Sequence, residues 1–151
     1  MTRAHIATAL LCLTSLLPAC TFDRNDRALS VGFIDNSRFD YVDGCGCTFW
    51  PPGTERSAEQ RQLLLAATNE RAWVNIEGEL IELVKTYDDV RLQGRIGDIY
   101  RQRYDAPDTS VVVTCRATGF GDTHAVDCDA SIAVTKNACT TTLAARGSCG
   151  C

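Results

Sequence analysis

At 151 residues the chain is sized for one domain. Its 15 Lys and Arg against 19 Asp and Glu give a formal net charge of −4, which argues against nucleic acid or an anionic membrane surface as a partner. Nine cysteines and only two histidines point to disulfide chemistry more than to a histidine-rich metal site.

The first residues read as a targeting segment. Arg3 supplies a short basic region, Ile6 to Leu17 is apolar, and Leu17-Pro18-Ala19-Cys20 follows. Residues 1–19 form a secretory signal too short to be a transmembrane helix. The last four residues resemble the lipobox of bacterial lipoproteins, with Pro18 departing from the usual small or β-branched residue. The resemblance implies that Cys20 is lipidated and that this lipid is the membrane anchor. Thr21 stands where many Gram-negative lipoproteins carry an Asp that retains them at the inner membrane. The implied address is therefore the outer membrane, facing the periplasm or the outside. Ordinary secretion with cleavage at Ala19 is the alternative. Residues 20–37, polar and weakly patterned, read as a lipidated N-terminus and flexible tether, and 38–151 as a single β domain.

Within that domain Phe39 to Trp50 reads as the first strand, ended by Pro51-Pro52-Gly53. Ser57 to Gln60 has the form of a helix capping box, but Leu63-Leu64-Leu65 suits a buried strand, and a strand is preferred. Ala72, Val74 and Ile76 alternate, Glu77-Gly78 turns the chain, and Ile81 and Leu83 continue the same face, leaving Trp73 and Leu80 opposite. Asp88-Asp89 reads as a turn, Val90 to Gln93 as a short strand, and residues 94–98 as another turn. Ile99 to Tyr104 follows, with Tyr100, Gln102 and Tyr104 on one face and Ile99, Arg101 and Arg103 on the other.

The best-patterned stretch is Ser110 to Lys136. Val111, Val113, Cys115 and Ala117 share one face of its first arm, and Val126, Cys128, Ala130, Ile132 and Val134 share one face of its second. A two-residue type II′ turn at Gly121-Asp122 would set Cys115 directly opposite Cys128, close enough for a cross-strand disulfide. A last strand runs from about Cys139 to Arg146. The sum is an all-β domain, a small antiparallel meander closed as a barrel or packed as a sandwich, with about eight strands.

Beyond Cys20 the cysteines are Cys45, Cys47, Cys115, Cys128, Cys139, Cys149 and Cys151, an odd number. Cys45-Gly46-Cys47 and Cys149-Gly150-Cys151 read as staples joining the first strand to the chain end. Closing a loop of about 100 residues is worth roughly 4–5 kcal/mol in the chain-entropy picture, against roughly 3 for the hairpin bridge. A four-thiolate metal site or a redox pair is the competing use of the triplets. It is disfavoured because His124 is the single histidine of the mature chain and no basic residue flanks either triplet within two positions.

No Ser/His/Asp or Cys/His arrangement and no nucleotide fingerprint is present. Asp122, Asp127 and Asp129 around His124 lack any calcium-loop spacing and read as a solvated face. No cofactor is expected, and the domain reads as non-enzymatic. The lipobox, the small β domain and the cysteine link between first and last strands together resemble the membrane-bound inhibitors of C-type lysozyme. Ile96-Gly97-Asp98-Ile99-Tyr100 carries the Gly and Tyr of that family's Ser-Gly-x-x-Tyr motif, with Ile96 replacing the Ser. The resemblance implies binding through Gly97 and Tyr100 to a cationic, lysozyme-like protein. The residues alone leave open a structural or assembly role in the outer membrane, with the odd cysteine bonded to a partner.

Overall fold

The computed structural model describes residues 29–35, 45–54, 62–89, 95–121 and 125–150. Eleven strands occur among them: β1 Val31–Gly32, β2 Ile34–Asp35, β3 Gly46–Trp50, β4 Gln62–Leu63, β5 Leu65–Thr68, β6 Arg71–Ile76, β7 Glu79–Asp89, β8 Ile99–Asp105, β9 Thr109–Phe120, β10 Val126–Lys136 and β11 Cys139–Gly150. All pairings are antiparallel, in the order β1-β6-β5-β3-β11-β10-β9-β8-β7, and β7 pairs back onto β6. Strands β3 and β5 to β11 thus form a closed eight-stranded barrel. Closure removes the exposed edges that an open sandwich would leave.

The core lies inside the barrel, where alternate residues of every strand meet. Val111, Val113, Cys115 and Ala117 of β9 and Cys128, Ala130, Ile132 and Val134 of β10 point inward as their alternation predicts. Tyr104, Leu65, Ile76 and Leu83 complete this interior and are fully buried.

A smaller cluster sits on the outside. Leu63, Ala66 and Ile34 are buried there, with Trp73 packed against them. The three-leucine run is therefore buried on two faces: Leu64 and Leu65 join the barrel interior and Leu63 the outer cluster. Burial on both sides explains a continuous apolar run where alternation would otherwise be expected. The outer cluster also accounts for the outward Trp73, which the β2–β4 pair helps to cover.

Four expectations are corrected. Residues 29–35, assigned to the tether, belong to the fold: β1 pairs with β6, the Glu77 N–H donates to the Ser30 carbonyl at 2.9 Å, and Ile34 is buried. Asp88 and Asp89 are not a turn but the end of β7, opposite Gln102 and Arg101. The loop between β9 and β10 is longer than two residues, because Phe120 pairs with Val126. Finally, Cys128 lies opposite Ala117, and Cys115 opposite Ala130. A register shift next to Cys128 leaves Thr118 as an extra residue, and its hydroxyl donates to the Asp127 carbonyl at 3.2 Å. The two cysteines meet diagonally, with Cα atoms 5.6 Å apart, and are bonded.

Cys47 pairs directly with Cys149 in the β3–β11 ladder and is bonded to it across 102 residues of sequence. Cys45 is also disulfide-bonded. The Phe39 to Asp43 part of the expected first strand, the capping box, the Val90 to Gln93 strand, His124, Cys20 and Cys151 lie outside the described residues.

The hairpin between β10 and β11 turns on Asn137 (φ 50°) and Ala138 (φ 67°). Both residues sit in the left-handed region, as in a two-residue turn that prefers Asn-Gly. Asn tolerates that conformation, but the Cβ of Ala138 does not. Ala138→Gly is expected to stabilise the protein by about 0.5–1 kcal/mol, read as a rise in thermal midpoint.

Candidate functional site

One end of the barrel interior is not filled. A cavity of about 350 Å³ lies there, bordered by all the barrel strands but β6, with part of its wall from the residues just after β5. That is at the small end of ligand pockets, about 300–1,000 Å³. Most of its wall is apolar, with Phe49, Val113, Val126 and the disulfide-bonded Cys47, Cys115 and Cys149. The two described disulfides thus pin the strands that enclose it.

The polar part of the wall comes from Lys85 and Asp88 of β7, Tyr100 and Gln102 of the neighbouring β8, and Thr68 and Asn69 at the end of β5. The Lys85 ammonium lies 2.9 Å from an Asp88 carboxylate oxygen and 5.8 Å from the centre of the Tyr104 ring. Lys85 is nearly buried, its side chain 13% exposed, whereas that of Asp88 is 37% exposed. The Tyr104 hydroxyl donates to Gln102 Oε1 at 3.0 Å. With its carbonyl oxygen so engaged, the Gln102 side chain has N–H donors left to offer.

Tyr100 is the outlier. Its residue is only 7% exposed, and its hydroxyl has no hydrogen-bond partner among the described residues. A buried phenol without a partner costs about 1–3 kcal/mol of desolvation. Burial, helped by the Asp98 carboxylate, pushes its pKa above the usual tyrosine value, so it is a neutral O–H donor at physiological pH. Burial pushes the Tyr104 phenol up further, with Asp88 adding to the effect.

The two residues singled out by the sequence motif are separated by this geometry. Gly97 occupies the turn before β8 with φ 93°, a conformation that glycine adopts without strain. The Gly97 N–H donates to the Ala117 carbonyl at 2.8 Å, and Asp98 Oδ2 accepts from the Arg95 N–H at 2.9 Å. Ile96 on this turn is 71% exposed, with Ile99 and Phe120 also exposed on the adjoining ends of β8 and β9. Tyr100 instead faces the barrel interior.

Lys85 belongs to no motif of the sequence. Its signal is phase: in β7 it follows Ile81 and Leu83 at the next inward position, a charged residue on the apolar register of a strand. The disulfides take Cys45, Cys47 and Cys149 out of consideration as thiolate ligands. Among the described residues no group of three or more His, Cys, Asp or Glu side chains could hold a metal ion. Asp129 pairs instead with Arg146 at 3.1 Å. A second concavity of about 420 Å³ lies against Trp50, Pro52, Thr118, Asp127 and Arg146, but it presents no buried side-chain polar atom in need of a partner.

No protein-family model matches the chain, and no curated protein or solved structure matches it either.

Proposed function

We propose that this protein is a non-enzymatic cell-envelope lipoprotein, anchored at the outer membrane by lipid on Cys20, whose barrel is a binding module with its site in the end cavity. The observation that carries the binding half is Tyr100, which lines a cavity pinned by disulfides and whose buried hydroxyl has no partner among the described residues. A scaffold with no ligand has no use for a buried donor that costs stability, and such costs concentrate at functional sites. The anchoring half rests on the sequence before and at Cys20. Native mass spectrometry of protein purified from envelopes is expected to show a mass excess over the lipidated polypeptide that is lost on denaturation. Identical native and denatured masses, with no thermal shift from any small amphipathic compound, would sink the cavity reading. Cys20→Ala is expected to abolish incorporation of labelled palmitate.

One observation favours a protein partner as a second reading. Ile96, Ile99 and Phe120 are exposed at the Gly97 turn and the adjoining strand ends, and a group of exposed apolar residues at one place suits a protein contact. If that partner is a lysozyme, Ile96→Asp weakens inhibition while Tyr100→Phe leaves it unchanged, since Tyr100 faces inward.

A further inference from the structure

We infer that the cavity takes an apolar carboxylic acid, with its carboxylate held by the Tyr100 hydroxyl, the Gln102 amide N–H and the Lys85 ammonium. This deepens the cavity reading above and rests on it. Lys85, Tyr100 and Gln102 bring three donors to the wall from adjacent strands β7 and β8, and the Tyr100 hydroxyl is the wall's one buried side-chain polar atom without a partner among the described residues. Gln102 Oε1 receives the Tyr104 hydroxyl, and Asp88 receives Lys85. The group missing from the wall is therefore an acceptor. A carboxylate answers all three donors, and it does so with charge-assisted bonds, which are roughly twice as strong as neutral ones.

Charge balance points the same way. Lys85 is the more deeply buried of its pair and Asp88 the more exposed. A ligand carboxylate can take over the inner ammonium while the Asp88 side chain turns to water, so the buried cation never loses its counterion. A cationic head would have to compete with Lys85 for the Asp88 carboxylate. The apolar part of the wall, with Phe49, Val113, Val126 and the disulfide-bonded Cys47, Cys115 and Cys149, is suited to a hydrocarbon body. The volume limits that body to a small molecule and excludes a macromolecule.

The experiment compares decanoate, decanol and decylamine on the purified protein by calorimetric titration, below their micelle-forming concentrations. Decanoate is expected to bind best and decylamine worst. Tyr100→Phe is isosteric and deletes only the unpartnered hydroxyl. It is expected to weaken decanoate about tenfold or more and to raise the melting temperature of the empty protein by a few degrees, because the buried donor is gone. Lys85→Met is expected to weaken decanoate while narrowing the gap to decanol. The assignment is overturned if decylamine binds as tightly as decanoate, if Tyr100→Phe binds decanoate unchanged, or if that variant is less stable than wild type when empty. Binding of decanol and decylamine without preference for decanoate would overturn the carboxylate while leaving the cavity a ligand site. No binding of any of the three, together with equal native and denatured masses, would remove both.

Discussion

Replacing Cys45, Cys47 and Cys149 together by alanine is expected to lower the unfolding free energy by roughly 4–5 kcal/mol. The Cys47–Cys149 bridge spans 102 residues and ties β3 to β11. Only five residue pairs, Gly46–Gly150 through Trp50–Arg146, join those strands in the ladder. They must close the barrel between segments far apart in sequence, and the covalent tie removes most of that closure entropy from the unfolded chain. Because Cys45 is bridged as well, Cys47→Ala/Cys149→Ala with Cys45 intact is expected to cost less than the triple replacement. Cys115→Ala/Cys128→Ala, across 13 residues, is expected to cost about 3 kcal/mol. Urea unfolding measures all three, and the triple variant should also show the steeper slope of a more expanded unfolded chain. A hairpin-bridge loss that equals or exceeds the triple loss contradicts the loop-length argument.

The same bridges show how far sequence reaches. The β9–β10 hairpin was legible because both arms alternate for eleven or twelve residues with apolar inner positions. Its register was not, because Phe120 pairs with Val126 across a loop longer than the expected two-residue turn, and the extra residue at Thr118 offsets only one step of that shift. Barrel and sandwich could not be told apart from strand patterns, because both use the same short amphipathic strands. What closes the barrel is the pairing of β6 with β7 and of β3 with β11. The first is a hairpin visible in sequence; the second was hinted at only by the two Cys-Gly-Cys triplets. The site was half legible. Alternation put Tyr100, Gln102 and Tyr104 on one face, but nothing local says that this face is the inside. The arginines opposite, Arg101 and Arg103, were the available clue, since a charged row is costly to bury. The segment before β3 misled for the opposite reason: its composition is largely polar, and Leu29, Val31 and Ile34 are what mark it as packed.

Gly147→Ala is expected to destabilise the barrel by about 1–3 kcal/mol through overpacking. Gly147 lies directly opposite Phe49 in the β3–β11 ladder. A Cβ at Gly147 would fall 2.4 Å from Phe49 Cδ1, 2.5 Å from Cε1 and 3.3 Å from Cys128 Sγ. The ring is 1% exposed and cannot withdraw, and the Cys128 sulfur is fixed by its bond to Cys115. The glycine is there because the aromatic ring lies across it, a cross-strand arrangement that covers an otherwise bare backbone. Phe49→Ala removes the ring and is expected to cost about 3–5 kcal/mol. It also strips one wall of the end cavity, so decanoate should lose affinity in this variant even where the protein remains folded. The two sites share one volume, so their effects should not add. In Phe49→Leu/Gly147→Ala the smaller side chain leaves room for the new methyl group, and the double variant is expected to be more stable than the sum of its single losses by about 0.5–3 kcal/mol. Additive losses in a urea-denaturation cycle would mean that the ring and the glycine do not compete for space, and that β3 and β11 are spaced by something other than Phe49.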